Sequence, residues 1–326
     1  PDREEHKRRM NIVEKLKKLF FGKKSAEGNS AERERADARS AAEDAEGLRP
    51  LLCPSFPFVV QWREESDLSP ADSKFGGAPL LPPGFVWPVY AGEVVCPVYH
   101  ADEIVNGEKR ERPLSFLMQI DLSGLPPAAR GFLPAKGYLS FFYDLQTGRW
   151  GGEAEDFGCA RVYYFPDGDL SPVEPPAGTR LPERKICFSE APDLPDWEEF
   201  VESDKTFGGD WEAYDRARAL LGVDREKEEK AYNGKLLGYA QIIQDSMLQE
   251  CEEMSRRSRG EDADDEEDVF VKSRDWTLLL QIGTVDFSID EEELMWGDDG
   301  NLYFYIRRRD LAALNFGGAW AILQCF

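Results

Sequence analysis

The sequence predicts a mainly β protein of the α+β class, in which two related β-rich halves surround a shared core and helices are few. Three observations carry this. Eight short runs are rich in aromatic and β-branched residues: FPFVVQW, LSFLMQIDL, GYLSFFYDL, ARVYYFP, RKICFSE, WTLLLQIG, NLYFYIRR and AWAILQCF. Glycine and proline clusters separate them. Within the body, helical spacing appears chiefly at Asp210–Leu221, with a weaker stretch around Gln241–Arg256.

Residues 1–47 differ in composition from the rest of the chain. Nine residues precede Met10 and read as an upstream extension. Met10–Lys24 places Ile12, Val13, Leu16, Leu19 and Phe20 at helical spacing among Lys15, Lys17, Lys18, Lys23 and Lys24. This is a short basic amphipathic helix, suited to weak contact with an anionic membrane or an acidic partner, and marginal without such a surface. Ser25–Gly47 has almost no large apolar residue and reads as a charged flexible linker, helical in part. The body is 48–326, with halves at approximately 51–190 and 191–326. Within it, Glu252–Asp268 reads as a solvated acidic loop, because bunched carboxylates without spaced glycines lack a calcium-loop pattern.

The halves are delimited by an internal repeat. LMQID at Leu117–Asp121 returns as LLQIG at Leu279–Gly283, and GYLSFF at Gly137 returns as GNLYFY at Gly300. KFGGA at Lys74 loosely matches KLLGY at Lys235, and GCARVYYF at Gly158 loosely matches GAWAILQCF at Gly318. All four pairs keep one order at offsets of 160–163 residues. The apolar runs are nearly continuous rather than alternating, so both faces of these strands should be covered. A cleft between such halves is the natural seat for a ligand. The repeated Gln119 and Gln281 follow large apolar residues. Each amide either pins neighbouring backbone or faces that cleft.

The lead-in to the first repeat, SKFGGAPLLPPGFVWP (Ser73–Pro88), combines prolines that fix an extended path with Gly76 and Gly77, which permit positive φ. Phe85 and Trp87 are expected to plug into the body. Only Lys74 has the chemistry for a ligand role there.

Taken together, SKFGGAPLLPPGFVWP, PLSFLMQIDLSGLP, KGYLSFFYD, DWTLLLQI, MWGDDGNLYFYIRRRDL and FGGAWAILQCF resemble the YwqG-like family, also called DUF1963, over roughly Leu51–Phe326. The resemblance implies a mainly β fold built from related halves and implies no reaction. The tail before Leu51 is extra. A GGYPxxxQ-like segment of the family stands here as LGYAQIIQD.

Composition narrows the function classes. The net charge of −23, from 63 acidic against 40 basic residues, repels phosphate backbones, so nucleic acid is not an expected partner. The six cysteines form no C-x-x-C pair and read as reduced core thiols. The two histidines, His6 and His100, cannot build a histidine-rich metal site. Nucleotide-binding glycine loops, serine-hydrolase elbows and metalloprotease helices are absent, so we expect no cofactor, no metal and no identifiable catalytic residue. No apolar run spans a bilayer and no secretory signal is evident, which suggests a cytoplasmic protein, membrane-peripheral if the basic helix engages lipid.

The expected function is binding of a protein or small-molecule partner in the cleft, with Gln119, Gln281, Trp150, Trp296, Asp298 and Lys74 as candidate contacts. Two alternatives stand beside it. One is a hydrolase using carboxylates drawn from Glu153, Asp156, Asp298 and Asp299, although both acidic stretches also read as turns. The other is a membrane-peripheral adaptor acting through Met10–Lys24.

Overall fold

A computed structural model describes residues 40–61, 68–93, 109, 111–203, 207, 209–287 and 293–326. The basic helix at Met10–Lys24, both histidines and Cys96 lie outside the described residues.

All eight expected runs are strands of a single large antiparallel sheet. Its strands are β1 (Cys53–Val60), β2 (Lys74–Phe75), β3 (Ser115–Asp121), β4 (Tyr138–Tyr143), β5 (Ala160–Phe165), β6 (Arg184–Phe188), β7 (Ala191–Asp193), β8 (Gly234–Leu236), β9 (Trp276–Ile282), β10 (Asn301–Arg307) and β11 (Trp320–Gln324). They lie side by side in the order β11-β10-β9-β8-β1-β6-β2-β3-β4-β5, with β7 beside the first residues of β1. The sheet curls until its edges approach. The Leu323 N–H donates to the Trp150 carbonyl at 2.9 Å, and the Trp320 indole donates to the Gly151 carbonyl at 2.8 Å. These contacts cover part of the edge backbone that an open sheet would expose.

The central strand β1 carries Pro54 and Pro57, residues usually kept to sheet edges because they cannot donate to a ladder. The register resolves this for Pro57. On one side β1 pairs with β7 over Cys53–Ser55 and then with β6 over Phe58–Val60. Pro57 falls between these stretches, where a missing N–H removes no ladder bond. Its carbonyl is still used, accepting from Ser189 N–H at 2.9 Å.

Two strand sets flank the β1–β6 centre and share their local construction. In β3 the register shifts between Phe116 and Met118, and in β9 between Leu278 and Leu280. The bulged residues are Leu117 and Leu279. Their carbonyls accept from Gly76 N–H (2.8 Å) and Leu237 N–H (3.0 Å), two residues with φ of 63° and 59°. The next residues, Gly77 and Gly238, are also left-handed, at φ 71° and 81°. A Cβ on Gly238 would stand 2.3 Å from Asp193 Oδ2 and 2.7 Å from Ser55 Cβ. Glycine is required there by both conformation and space.

The main core fills the curl with residues from both halves. Phe141 of β4 meets Phe304 of β10 edge-on at 5.2 Å, and Tyr143 meets Trp296 at 5.8 Å. Phe85 packs edge-on against Tyr163 and Phe165, and Trp87 against Phe142, so the first lead-in does plug into the body. As the continuous apolar runs suggested, β9–β11 are covered on both faces: Leu302, Phe304 and Ile306 face the main core, while Tyr303 and Tyr305 join a second cluster with Trp276, Trp320 and Cys251.

Helices cover the second half. They are α1 (Trp197–Ser203), α2 (Trp211–Leu220), α3 (Arg225–Ala231), α4 (Leu248–Ser258), α5 (Glu266–Ser273) and α6 (Arg308–Ala312). Helical residues 40–48 supply Ala45 and Leu48 to a third cluster with Phe200 and Tyr214. The Asp210–Leu221 expectation corresponds to α2, capped by Asp210.

Glu252–Asp268 corrects the expectation of a solvated loop. Its first part completes α4 and its last residues begin α5. Glu252 is buried, accepting from the Trp276 indole (2.8 Å), Arg256 Nε (2.7 Å) and Arg307 Nη2 (2.8 Å). The partners from β9 and β10 are distant in sequence, so composition alone could not distinguish this carboxylate from its solvated neighbours.

This architecture has two measurable consequences. Gly238→Ala should destabilise the protein by about 2–4 kcal/mol in urea unfolding, through left-handed strain plus collision with a held carboxylate. A fragment limited to residues 51–190 should not fold, because β1 loses β8 and the core loses Phe304 and Trp296. A dispersed amide NMR spectrum from that fragment would contradict the shared core.

Candidate functional site

The second half contains a buried charge network at the junction of β7, α1 and α3. Asp193, fully buried, accepts from Lys235 Nζ (2.8 Å), Arg225 Nη1 (3.1 Å), Leu194 N–H (2.9 Å) and Tyr239 N–H (3.0 Å). Asp196 accepts from Arg225 Nε and Arg218 Nη1, both at 2.7 Å, and from Ile242 N–H at 2.8 Å. Burial alone would raise the Asp196 carboxyl, but Arg225 and Arg218 outweigh it and hold the group below its ordinary value. Burial lowers the Lys235 ammonium, and nearby Arg225 adds to this.

The segment leaving β8 is held at nearly every residue. Gln281 Oε1 accepts from Gln241 N–H at 2.9 Å, and Gln281 Nε2 donates to Gln241 Oε1 at 2.8 Å. The Tyr303 hydroxyl donates to the Gln241 carbonyl at 2.5 Å. Gln324 Oε1 accepts from the N–H groups of Ile243 and Gln244, both at 3.2 Å. A non-helical segment so constrained is a rigid wall rather than a mobile loop.

That wall borders a cavity of about 600 Å³, within the usual range for small-molecule sites. Its polar lining includes Gln241, Gln281, Asn233, Thr284, Asp299 and Asn301, and its apolar lining includes Ile242 and Ile243. Asn233 is fixed by Val60 N–H (2.8 Å) and Thr284 carbonyl (3.3 Å) contacts. Asp299 sits in the expected turn at φ 53° and accepts from Thr284 Oγ1 at 3.2 Å. Lys230 at the rim is ion-paired to Glu226 at 2.6 Å, so the remaining rim charges, Glu229 and Asp299, are acidic. Every lining residue falls between Glu229 and Phe326, which places this cavity within the second half rather than between the halves.

Of the sequence-derived candidates, Gln281 lines this cavity. Gln119 is fully buried elsewhere, where its Oε1 accepts from Leu80 N–H (2.8 Å) and its Nε2 donates to the Pro70 (3.0 Å) and Asp72 (3.1 Å) carbonyls. Lys74 lies opposite Gln119 on β2, is buried, and pairs with Glu183 at 2.8 Å. Trp296 is fully buried, its indole donating to the Gly283 carbonyl at 3.0 Å. Trp150 is 37% exposed, and its carbonyl serves sheet closure. Asp298 is exposed and offers its carbonyl to Phe326 N–H at 3.1 Å.

Of the acids weighed for hydrolysis, Glu153 is exposed, whereas Asp156 is buried, with Oδ2 accepting from Gly151 N–H at 2.9 Å and Oδ1 3.3 Å from Arg149. Asp156 and Asp299 therefore occupy different places, and the structure does not bring the four carboxylates together. Among the described residues, no cluster of three or more His, Cys, Asp or Glu side chains is placed to hold a metal ion, and no helix is long and apolar enough to cross a membrane.

Sequence reasoning missed Asp193, Asp196, Arg225, Gln324 and Asn301. A partial signal existed: Lys235 and Gln281 stand opposite one another on β8 and β9, as Lys74 and Gln119 do on β2 and β3. The repeat offset matched the two lysines and the two glutamines to each other, but neither their cross-strand pairing nor the acids, which come from outside the repeated blocks.

The network's pH response has a definite sign. The folded-state value of Asp196 is lowered, so its stabilisation is present above the ordinary carboxylate range and is lost as pH falls through it toward the folded-state value. Asp196→Asn should lower the melting temperature at pH 7 and flatten the fall in stability between about pH 5 and pH 2. An unchanged acid limb would show that the Arg218–Asp196–Arg225 contacts do not contribute to it.

Comparison with curated proteins yields no match. A family model described as "Domain of unknown function (DUF1963)" matches residues 73–325. That span runs from the first lead-in to the end of the closing strand and contains the lysine–glutamine pairs, both bulges and the cavity: the chain belongs to the DUF1963 family.

Proposed function

We propose that the protein is a non-enzymatic binding protein whose ligand occupies the 600 Å³ cavity of the second half. The observation that carries this is the fixed amide wall. Gln281, Gln324 and Tyr303 position the Gln241–Gln244 backbone before any ligand arrives, which reduces the ordering cost of binding. Among the described residues the lining offers amide and hydroxyl groups with no unpaired cation, so a neutral or cationic polar ligand fits and an anion does not. The basic segment Met10–Lys24 serves in this proposal as a tether to an acidic partner or surface.

The proposal includes an origin for the site: residues 51–190 and 191–326 descend from one duplicated unit. The matched bulges, left-handed lead-ins and lysine–glutamine pairs support it. In the first half, the Leu80 N–H that Gln119 holds begins a short strand, Leu80–Leu81, paired with Ser171–Pro172. In the second half, the equivalent Gln241 faces open space. Binding is accordingly assigned to one half.

The test is a thermal-shift screen of the full chain against neutral, cationic and anionic small molecules, repeated with Thr284→Phe to block the cavity. Neutral or cationic hits should raise the melting temperature by several degrees at saturating concentration, corresponding to about 2.7 kcal/mol at one hundred times Kd. The same hits should have no effect on the blocked variant. Hits confined to anions, or shifts retained by Thr284→Phe, would contradict the proposal.

A further inference from the structure

A second, smaller cavity of about 190 Å³ lies on the other side of the charge network, between α1, α4 and α5. Its apolar wall comes from Leu51, Leu248, Phe270 and Trp276, and its charged groups are Glu199, Glu202, Arg274 and Arg308. Glu202 is engaged, accepting from Ser246 Oγ (3.0 Å) and Gln249 Nε2 (3.4 Å). Glu199 makes no hydrogen bond or ion pair among the described residues. A half-buried carboxylate on the cavity wall with no hydrogen-bond donor among the described residues is available to a ligand's donor.

The opposite charge is also available. Arg308 uses Nη1 to hold the Arg274 (2.9 Å) and Trp276 (3.1 Å) carbonyls, and among the described residues its Nε and Nη2 make no hydrogen bond. Arg274 lies over the Phe270 ring at 5.1 Å and has no anionic partner among the described residues. The cavity is thus lined by carboxylates, guanidinium groups and an apolar wall, in a volume of amino-acid dimensions.

We propose that this cavity binds a small zwitterion, an α-amino acid with an apolar side chain. The ammonium sits on Glu199, the carboxylate meets Arg308 and Arg274, and the side chain lies against Leu248 and Phe270. Binding is proton-linked. Burial pushes the Glu199 carboxyl up to about 7, reinforced by Asp196, Glu202 and Asp193 and opposed by Arg308. Cys53 and Tyr239 are the other titratable neighbours, and both are raised and neutral at that pH. An arriving ammonium favours the ionised carboxylate, so the complex releases a proton near neutral pH and weakens as pH falls.

The test is calorimetry of the full chain with L-leucine and L-phenylalanine, beside N-acetyl-leucine, which lacks the ammonium, and leucinamide, which lacks the carboxylate. The expected result is binding of the free amino acids with proton release at pH 7. Affinity should be at least tenfold weaker at pH 5 than at pH 8. The acetylated and amidated probes should bind at least tenfold more weakly. Glu199→Gln should lose at least tenfold in leucine affinity together with the proton release. It should melt no lower than the parent at pH 8, because removing a carboxyl whose ionisation is disfavoured relieves a cost; this separates lost binding from misfolding. Thr284→Phe, in the other cavity, should leave leucine binding unchanged, so the two sites stand or fall separately. No binding of either amino acid at millimolar concentration, or equal binding by Glu199→Gln, would overturn the proposal.

Discussion

The buried carboxylate of Asp193 is the contact on which the second half depends. It is fully buried and accepts from two cationic side chains and two backbone N–H groups. A carboxylate without those partners would be expelled from such a position, and the partners without it would be buried cations. Through Lys235 it holds β8, through Arg225 it holds α3, and through Tyr239 N–H it holds the segment leaving β8. Those are three borders of the larger cavity. The same carboxylate makes Gly238 obligatory, since a Cβ there would stand 2.3 Å from it.

The first half solves the same problem more loosely. Lys74 is as buried as Lys235, but its partner Glu183 retains 20% side-chain exposure and no arginine joins the pair among the described contacts. The lead-in then turns into the core through Phe85 and Trp87 instead of bordering open space. Similar strands and bulges thus end in a packed surface on one side and a cavity on the other. The difference lies in residues 191–231, which add β7 and α1–α3 and supply the second-half acids and arginines.

The glutamines and aromatics hold backbone, fill the core and close the sheet in a way the sequence only partly showed. Gln119, Gln281 and Gln324 all use their amides to hold backbone that secondary structure leaves unpaired. Gln281 and Gln324 do so at the cavity wall. Trp296 and Trp150, attractive as ligand platforms in sequence, are used for the core and for sheet closure. An aromatic beside an acidic turn gives no sign of whether its ring points inward. That depends on strands more than a hundred residues away, such as the one carrying Tyr143 opposite Trp296.

By itself the sequence determined the β class, all eight principal strands, the two-sided burial of β9–β11 and the lysine–glutamine correspondence. These come from local periodicity and from self-similarity at one offset, which need no knowledge of contacts. Only the tertiary structure decided where β1 is inserted, why Pro57 is tolerated in it, and that Glu252 belongs to a helix buried against Trp276 and Arg307. It also decided which acids became charge partners and on which side a cavity stayed open. Each of these turns on pairing between residues far apart in the chain, and the free energy of a buried charge is set by those partners rather than by its neighbours in sequence.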